Sequence, residues 1–203
     1  MPHAKQGVIR IAVTGHRSID PNHELTASIQ KVLDQIIWDH PKANCQLLSA
    51  LAEGSDQFVA RIARQNVLIQ LIVPLPLPKE LYLLDFQTDE GRLILDQLLE
   101  NADQVITLTQ DSEPDTAYET LASYLIDQCH VLIALWNGEF SDKRGGTGEV
   151  VKKALNAGKP VYWIYSDNLQ DGALNSLKKL KKVGEIQVLG KNRDNQSEKF
   201  SPG

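Results

Sequence analysis

The sequence is poor in cysteine and contains no long apolar run. Only Cys45 and Cys129 are present among 203 residues, too few for a disulfide framework, so buried and reduced thiols are expected. Charged residues make up 23% of the chain, and no uncharged stretch has the length needed to span a bilayer. The polar N-terminus lacks the features of a secretory signal, and we therefore expect a cytoplasmic protein.

Three common site motifs are also missing. The sequence has no Gly-x-Gly-x-x-Gly after its first apolar segment, no Gly-Lys-Ser/Thr and no Gly-x-Ser-x-Gly. These absences exclude the standard dinucleotide fingerprint, the P-loop and the nucleophile elbow. No spacing of histidine, cysteine and carboxylate residues resembles a metal site, and neither a metal nor another cofactor is expected.

The sequence also has fewer basic than acidic residues. The net charge is −5 and the pI is near 5.5, which disfavours a large nucleic-acid footprint. The one concentrated basic segment, residues 178–182, is better explained as the solvated end of a helix, although a binding patch is the alternative. Single-stranded DNA is accordingly the least favoured ligand.

What the chain does contain is an alternation of apolar strands and amphipathic helices. This alternation predicts an α/β fold, a single-domain Rossmann-like, doubly wound and mostly parallel sheet with helices on both faces. We expect a nucleotide-binding domain over residues 1–167 and a C-terminal extension over 168–203 that is partly helical, with a short strand at 185–189 and a mobile tail. Strands are predicted over 7–14, 45–51, 67–73, 104–108, 131–136 and 161–164, and the proline-rich residues 74–78 are predicted to cross the surface in an extended form.

The most informative segment is a glycine-rich loop between the strand at 131–136 and the next helix. Gly145, Gly146 and Gly148 are three glycines in four positions, where glycine lets the backbone approach a ligand and the first helical turn offers unpaired N–H groups. This geometry favours a phosphate, held by the amides of Gly146, Thr147 and Gly148 and by the Thr147 hydroxyl. The alternative is that these glycines serve only close packing of the helix on the sheet.

Two other strand-to-helix loops are polar and contain glycine, and the handedness of parallel crossovers places all three on one edge of the sheet. In the first loop Arg17 can clamp phosphate, or His16 and Arg17 are ordinary loop residues beside carboxylates. In the second, acidic groups either hold ribose hydroxyls or cap the helix. Trp136 either stacks on a base or belongs to the core. The candidate ligand-binding residues are Thr14, Gly15, His16, Arg17, Glu53, Gly54, Ser55, Asp56, Trp136, Asn137, Gly138, Gly145, Gly146, Thr147 and Gly148.

Five segments of the sequence together match the pattern of a known family: residues 14–17, 51–56, 74–76, 132–138 and 145–147. In these segments the chain resembles the SLOG superfamily, the Rossmann-like group that includes the Lonely guy phosphoribohydrolases and the DNA-processing protein A core. The resemblance implies a nucleotide-binding Rossmann-like fold. Lonely guy enzymes carry Pro-Gly-Gly-x-Gly-Thr-x-x-Glu, and Lys152 stands here where that pattern has its catalytic glutamate. The resemblance therefore favours binding over hydrolysis.

The sequence is consistent with two functions. The first is binding or sensing of a nucleotide or nucleotide-derived ligand, ADP-ribose-like, through the glycine-rich loop. The alternative is hydrolysis of the N-glycosidic bond of a nucleoside 5′-monophosphate, with Glu53 or Glu149 stabilising positive charge on the ribose. A sensor needs an output, and we expect either a homo-oligomer or a separate effector protein as partner, besides the nucleotide-like small molecule.

Overall fold

Seven strands form one sheet in a computed structural model that describes residues 7–110, 113–139, 146–169 and 181–190. The strands are β1 (Val8–Gly15), β2 (Asn44–Leu48), β3 (Ile69–Leu75), β4 (Gln104–Thr107), β5 (Val131–Trp136), β6 (Val161–Tyr165) and β7 (Ile186–Leu189). The order across the sheet is β4-β3-β2-β1-β5-β6-β7. Every neighbouring pair from β4 to β6 is parallel, and β7 pairs with β6 in the antiparallel direction.

Helices cover both faces of this sheet, because residues that alternate along a buried strand face opposite sides. The helices are α1 (His23–Asp39), α2 (Ser55–Ala63), α3 (Lys79–Tyr82), α4 (Asp89–Glu100), α5 (Pro114–Gln128) and α6 (Thr147–Asn156), and a 3-10 turn at Leu83–Asp85 follows α3. In β1, Ile11 and Val13 belong to the core beneath α1, α2 and α4, whereas Ala12 belongs to the core beneath α5 and α6. The predicted single-domain, doubly wound, mostly parallel α/β fold is confirmed.

The strand order reverses between β1 and β5. The chain builds outward from β1 through β2 and β3 to β4, then returns through α5 to β5 on the other side of β1. In open parallel sheets the loops on either side of such a reversal diverge and leave a crevice at the carboxyl ends of the strands. The loops after β1 and β5, both singled out in the sequence, flank that crevice.

The proline-rich segment differs from the sequence prediction. Pro74 lies inside β3 opposite Ile106 of β4, and residues 74–77 are buried rather than spread over the surface. The strand tolerates proline because main-chain groups alternate in direction. The carbonyl of Ile72 accepts from Ser49 on the β2 side, and that of Leu75 accepts from Leu108 on the β4 side. Pro74 therefore faces the β2 side, beyond the end of that strand, where no ladder N–H is needed.

The short strand expected near the C-terminus is β7, which joins the sheet beside β6. Most of the helix expected between 169 and 182 falls outside the described residues, as does the tail after residue 190. The boundary at 167 stays a prediction. Among the helices that the structure describes, none combines the length and apolar character required to traverse a bilayer.

Candidate functional site

The loops after β1 and β5 are joined directly at the point where the strand order reverses. The His16 N–H donates to the carbonyl of Leu135 at 3.1 Å, and the Asn137 N–H donates to His16 Nε2 at 3.0 Å. A ring nitrogen that accepts a hydrogen bond is unprotonated, so His16 is neutral in this arrangement. His16 thus fixes the two edges of the crevice relative to each other.

The loops after β1 and β2 are held together just as tightly. Both the N–H and the hydroxyl of Ser55 donate to the carbonyl of His16, at 3.0 and 2.8 Å. A Cβ on Gly15 would lie 2.4 Å from Ser55 Oγ, and one on Gly54 would lie 2.2 Å from the carbonyl oxygen of Arg17. Gly54 also has a φ of 82°, which side chains rarely adopt. Gly15, Gly54 and Ser55 therefore serve the close approach of these two loops.

The Glu53 carboxylate is hydrogen-bonded to other residues of the protein. Its carboxylate accepts from the N–H groups of Gln87 and Thr88 at 2.8 and 2.9 Å and from the Thr88 hydroxyl at 2.6 Å. Burial acts to raise the pKa of Glu53, but these hydrogen bonds outweigh it and hold the pKa below its ordinary value. The residue is an ionised anchor for the segment that leads into α4.

Asp56 is the buried carboxyl group of the site, with only 8% of the residue exposed. Burial raises its pKa to about 7. The charge of Arg17 and hydrogen bonds from the Ala52 and Ala50 N–H groups oppose this rise without cancelling it. Leu51, which lies between these two alanines, adopts a left-handed φ of 59°, and its own N–H donates to Ser49 Oγ at 3.2 Å.

A polar cluster that sequence reasoning missed surrounds Arg17. Its guanidinium lies 5.7 Å from the ring centroid of Tyr118 and donates to the Tyr118 hydroxyl at 3.4 Å. Tyr118 in turn donates to the Asp85 carboxylate, and burial together with this bond raises the pKa of Tyr118 to about 12. Beside it, Tyr82 is 1% exposed, and its hydroxyl has no hydrogen-bond partner in the described part of the chain.

The start of α6 differs from the other loops because two of its N–H donors have no acceptor among the described residues. Gly146 is the N-cap, with an extended backbone at φ −71° and ψ 161°, and its carbonyl accepts from Val150 at 3.1 Å to close the first turn. For the N–H groups of Thr147 and Gly148, the described ranges contain no hydrogen-bond acceptor. Thr147 is half-buried and Gly148 is buried. Gly145 lies outside the described residues.

Thr14 faces the same side of the sheet as α6. It is the penultimate residue of β1, sits opposite Ala134 of β5, and shares the alternation of Ala12, which packs beneath α5 and α6. The residue is 8% exposed, and no described residue hydrogen-bonds its hydroxyl. Thr14, Thr147 and the first amides of α6 thus supply polar groups to one side of the crevice.

The remaining predicted residues after β5 and in α6 are engaged elsewhere. Trp136 is 3% exposed, donates from Nε1 to the Glu139 carbonyl at 3.0 Å and packs at a tilt on Trp163 with centroids 5.8 Å apart. Its indole is therefore buried in the core and does not stack on a base. Gly138 has a φ of 87°, and a Cβ there would lie 2.9 Å from the Trp163 ring. Glu149 pairs with Lys153 at 2.8 Å.

Eight of the fifteen predicted ligand-binding residues fall into two groups. Thr14, Asn137 and residues 146–148 border the crevice between β1 and β5. Arg17, Glu53 and Gly54 instead line a cavity of about 290 Å³ on the other face of the sheet, between the start of α1, the side of α2 and the first turn of α4. The segment 15–17 connects the two places.

Comparison with known proteins supports no functional assignment. No family model matches the chain, and no curated protein matches it. Among solved structures, the chain is similar to the X-ray structure of TM1055, a Northeast Structural Genomics Consortium target. The two share 13% identity, with 76% of this chain and 72% of that chain covered and a TM-score of 0.45. The fold assignment therefore rests on the sheet topology described above.

Proposed function

We propose that this chain binds a nucleotide or a nucleotide-derived, ADP-ribose-like ligand, with a phosphate of the ligand at the N-terminus of α6. The observation that carries the proposal is that the amides of Thr147 and Gly148 have no acceptor among the described residues. Unpaired amides at the start of a ten-residue helix attract an anion through both their N–H groups and the helix dipole.

The position of these amides supports the same proposal. They follow β5, the strand beside which the order of the sheet reverses, and open parallel sheets bind their ligands at the carboxyl edge beside such a reversal. The Thr14 hydroxyl adds a donor or acceptor from β1. Because His16 and Asn137 hold the two loops together, the crevice is organised before a ligand arrives, which reduces the entropy lost on binding.

Membership of the SLOG superfamily is part of the proposal. It rests on the segments 14–17, 51–56, 74–76, 132–138 and 145–147 of the sequence. As a cytoplasmic sensor, the protein would pass its signal to a second copy of itself or to a separate effector protein. The unpaired α6 amides suit a phosphate, and the Thr14 hydroxyl on β1 suits a ribose, which together support this ligand class.

We propose binding rather than hydrolysis because the carboxylates required for the alternative are committed to the protein. Glu53 anchors Gln87 and Thr88, and Glu149 is paired with Lys153. Stabilising an oxocarbenium ion would require one of these groups to leave its partners. A phosphoribohydrolase reaction therefore finds no support in the arrangement of these two residues.

The proposal is tested by removing one amide while keeping the helix. Thr147 is the first residue of α6, where proline is well tolerated, and the extended conformation of Gly146 is compatible with a following proline. Thr147→Pro therefore deletes the N–H and the hydroxyl, whereas the control Thr147→Ala deletes the hydroxyl alone. Hydrogen bonds to charged groups contribute roughly 1.5–3 kcal/mol, and a tenfold change in affinity corresponds to about 1.4 kcal/mol.

We expect Thr147→Pro to weaken binding at least about tenfold relative to Thr147→Ala. Isothermal titration calorimetry with AMP, ADP-ribose and cyclic ADP-ribose isomers measures this, and circular dichroism verifies that both variants fold. Equal affinities of the two variants would contradict phosphate binding at this amide. Absence of binding by every nucleotide in the panel would contradict the proposed function as a whole.

A further inference from the structure

Two arginines are among the residues that line the cavity on the face of the sheet covered by α1, α2 and α4. Arg17 reaches it from the loop after β1, and Arg61 reaches it from the last turn of α2. Within the described ranges neither guanidinium has a carboxylate within ion-pair distance. The volume of about 290 Å³ is at the lower end for small-molecule sites, which run from roughly 300 to 1,000 Å³.

One face of α2 builds the wall that carries Arg61. Gly54, Gln57, Phe58 and Arg61 recur at spacings of three and four residues and all line the cavity, as residues on one side of a helix do. Gln57 donates from Nε2 to the Gly91 carbonyl at 2.8 Å and so fixes α2 against the first turn of α4. The wall is therefore rigid, with the charged end at Arg61 facing water.

The charged side chains that line the cavity differ in how many hydrogen bonds they make with described residues. The Glu53 carboxylate is occupied by three hydrogen bonds from Gln87 and Thr88. Among the described residues Arg17 makes two hydrogen bonds, both long: 3.3 Å to the Asp85 carbonyl and 3.4 Å to the Tyr118 hydroxyl. For the exposed Arg61, no described residue is within hydrogen-bond or ion-pair distance. The cavity thus has two cations with N–H donors that no described residue uses, while the Glu53 carboxylate already accepts three hydrogen bonds.

We propose that this cavity binds a phosphate monoester, at a site separate from the one proposed at α6. Arg17 and Arg61 hold the phosphoryl group, and the side chains of Ile19, Phe58 and Ile94 contact its organic substituent. Guanidinium groups bind phosphate oxygens through two parallel N–H donors. The three apolar side chains give the organic part of the ligand a surface from which water is displaced.

A phosphate monoester fits better than a carboxylate for two reasons. Its three terminal oxygens offer acceptors to both guanidinium groups, whereas a carboxylate is matched by one. Its second negative charge also strengthens the attraction to Arg17 and Arg61, which the carboxylates of Glu53 and Glu90 in the same lining oppose. The cavity volume restricts the substituent to about one ring, so a dinucleotide is too large.

The experiment uses phenyl phosphate, inorganic phosphate and benzoate as probes of the full chain, with binding followed by calorimetry. We expect phenyl phosphate to bind more tightly than either of the others. Arg61→Ala should weaken phenyl phosphate binding about 10- to 100-fold, and Arg61→Lys should recover only part of it because lysine lacks the planar pair of donors. Arg64→Ala is the matched control, because Arg64 lies three residues further along the chain, pairs with Asp103 at 3.2 Å and does not line the cavity.

Several results would overturn the inference. These are no binding of phenyl phosphate to the wild-type chain, equal binding by Arg61→Ala and wild type, or an equal loss in Arg61→Ala and Arg64→Ala. Thr147→Pro separates this site from the α6 site. If phenyl phosphate binding falls in Thr147→Pro and not in Arg61→Ala, the probe occupies the α6 site and the cavity proposal fails while the nucleotide proposal stands. If the reverse holds and nucleotides do not bind, the cavity proposal stands alone.

Discussion

Replacing Asp56 with asparagine removes a carboxyl group that the fold holds in a buried position. The residue is 8% exposed, and burial raises its pKa from 3.8 to about 7. Asparagine has nearly the shape of the protonated acid, and its carbonyl can accept from the Ala50 and Ala52 amides. The substitution therefore removes the ionisation while preserving the packing of the loop after β2.

The effect depends on pH in a direction fixed by linkage. Below pH 3.8 the folded and unfolded states both carry the proton. Between 3.8 and about 7 only the folded state carries it, so the free energy of unfolding of the wild-type chain falls as pH rises, and above about 7 this fall is complete. At 1.36 kcal/mol per pKa unit the full effect is roughly 4 kcal/mol, and about 3 kcal/mol of it lies between pH 4.5 and pH 8.

Urea unfolding of wild type and Asp56→Asn across that pH range measures the effect. Other titrating groups are common to both proteins, so the difference between the two free energies of unfolding isolates Asp56. We expect the variant to gain about 3 kcal/mol relative to wild type from pH 4.5 to pH 8. A difference that stays constant with pH would refute the reasoning, since it would mean that Asp56 titrates alike in the folded and unfolded states.

Two further substitutions test the packing around the site. Tyr82→Phe removes a buried hydroxyl that has no partner in the described part of the chain, and we expect urea unfolding to show a gain of about 1 kcal/mol; a loss of similar size would reveal a partner for the hydroxyl. Gly54→Ala places a Cβ 2.2 Å from the Arg17 carbonyl oxygen at a φ of 82°, and we expect a loss of at least about 2 kcal/mol. An unchanged midpoint would show that the two loops separate easily.

The sheet could be predicted from the sequence because parallel strands covered on both faces are apolar runs. The run at 131–136 is completely buried as β5. The ends of strands were harder to predict. The strand expected over 45–51 ends at Leu48, because Leu51 turns the chain through a left-handed conformation. Position-by-position hydrophobicity carries no signal for such a turn at a leucine.

The candidate site was only partly predictable, because one sequence feature has two physical causes. Glycine at a strand-to-helix junction arises where a ligand approaches the backbone and equally where two loops approach each other. The contacts of Gly15 and Gly54 are of the second kind. Tyr118 was missed for a related reason: it falls on the apolar stripe of α5, and only the fold shows that its hydroxyl meets Arg17 and Asp85.

These contacts change what supports nucleotide binding. Three glycine-containing loops on one edge of the sheet indicate a ligand site only if nothing else requires their glycines. Because Gly15 and Gly54 are required by the contact of the first loop with the second, the support for a ligand comes from the start of α6. There the extended Gly146 leaves the next amides without an acceptor among the described residues. Nucleotide binding by this chain therefore depends on those amides, and Thr147→Pro is the substitution to which it is most sensitive.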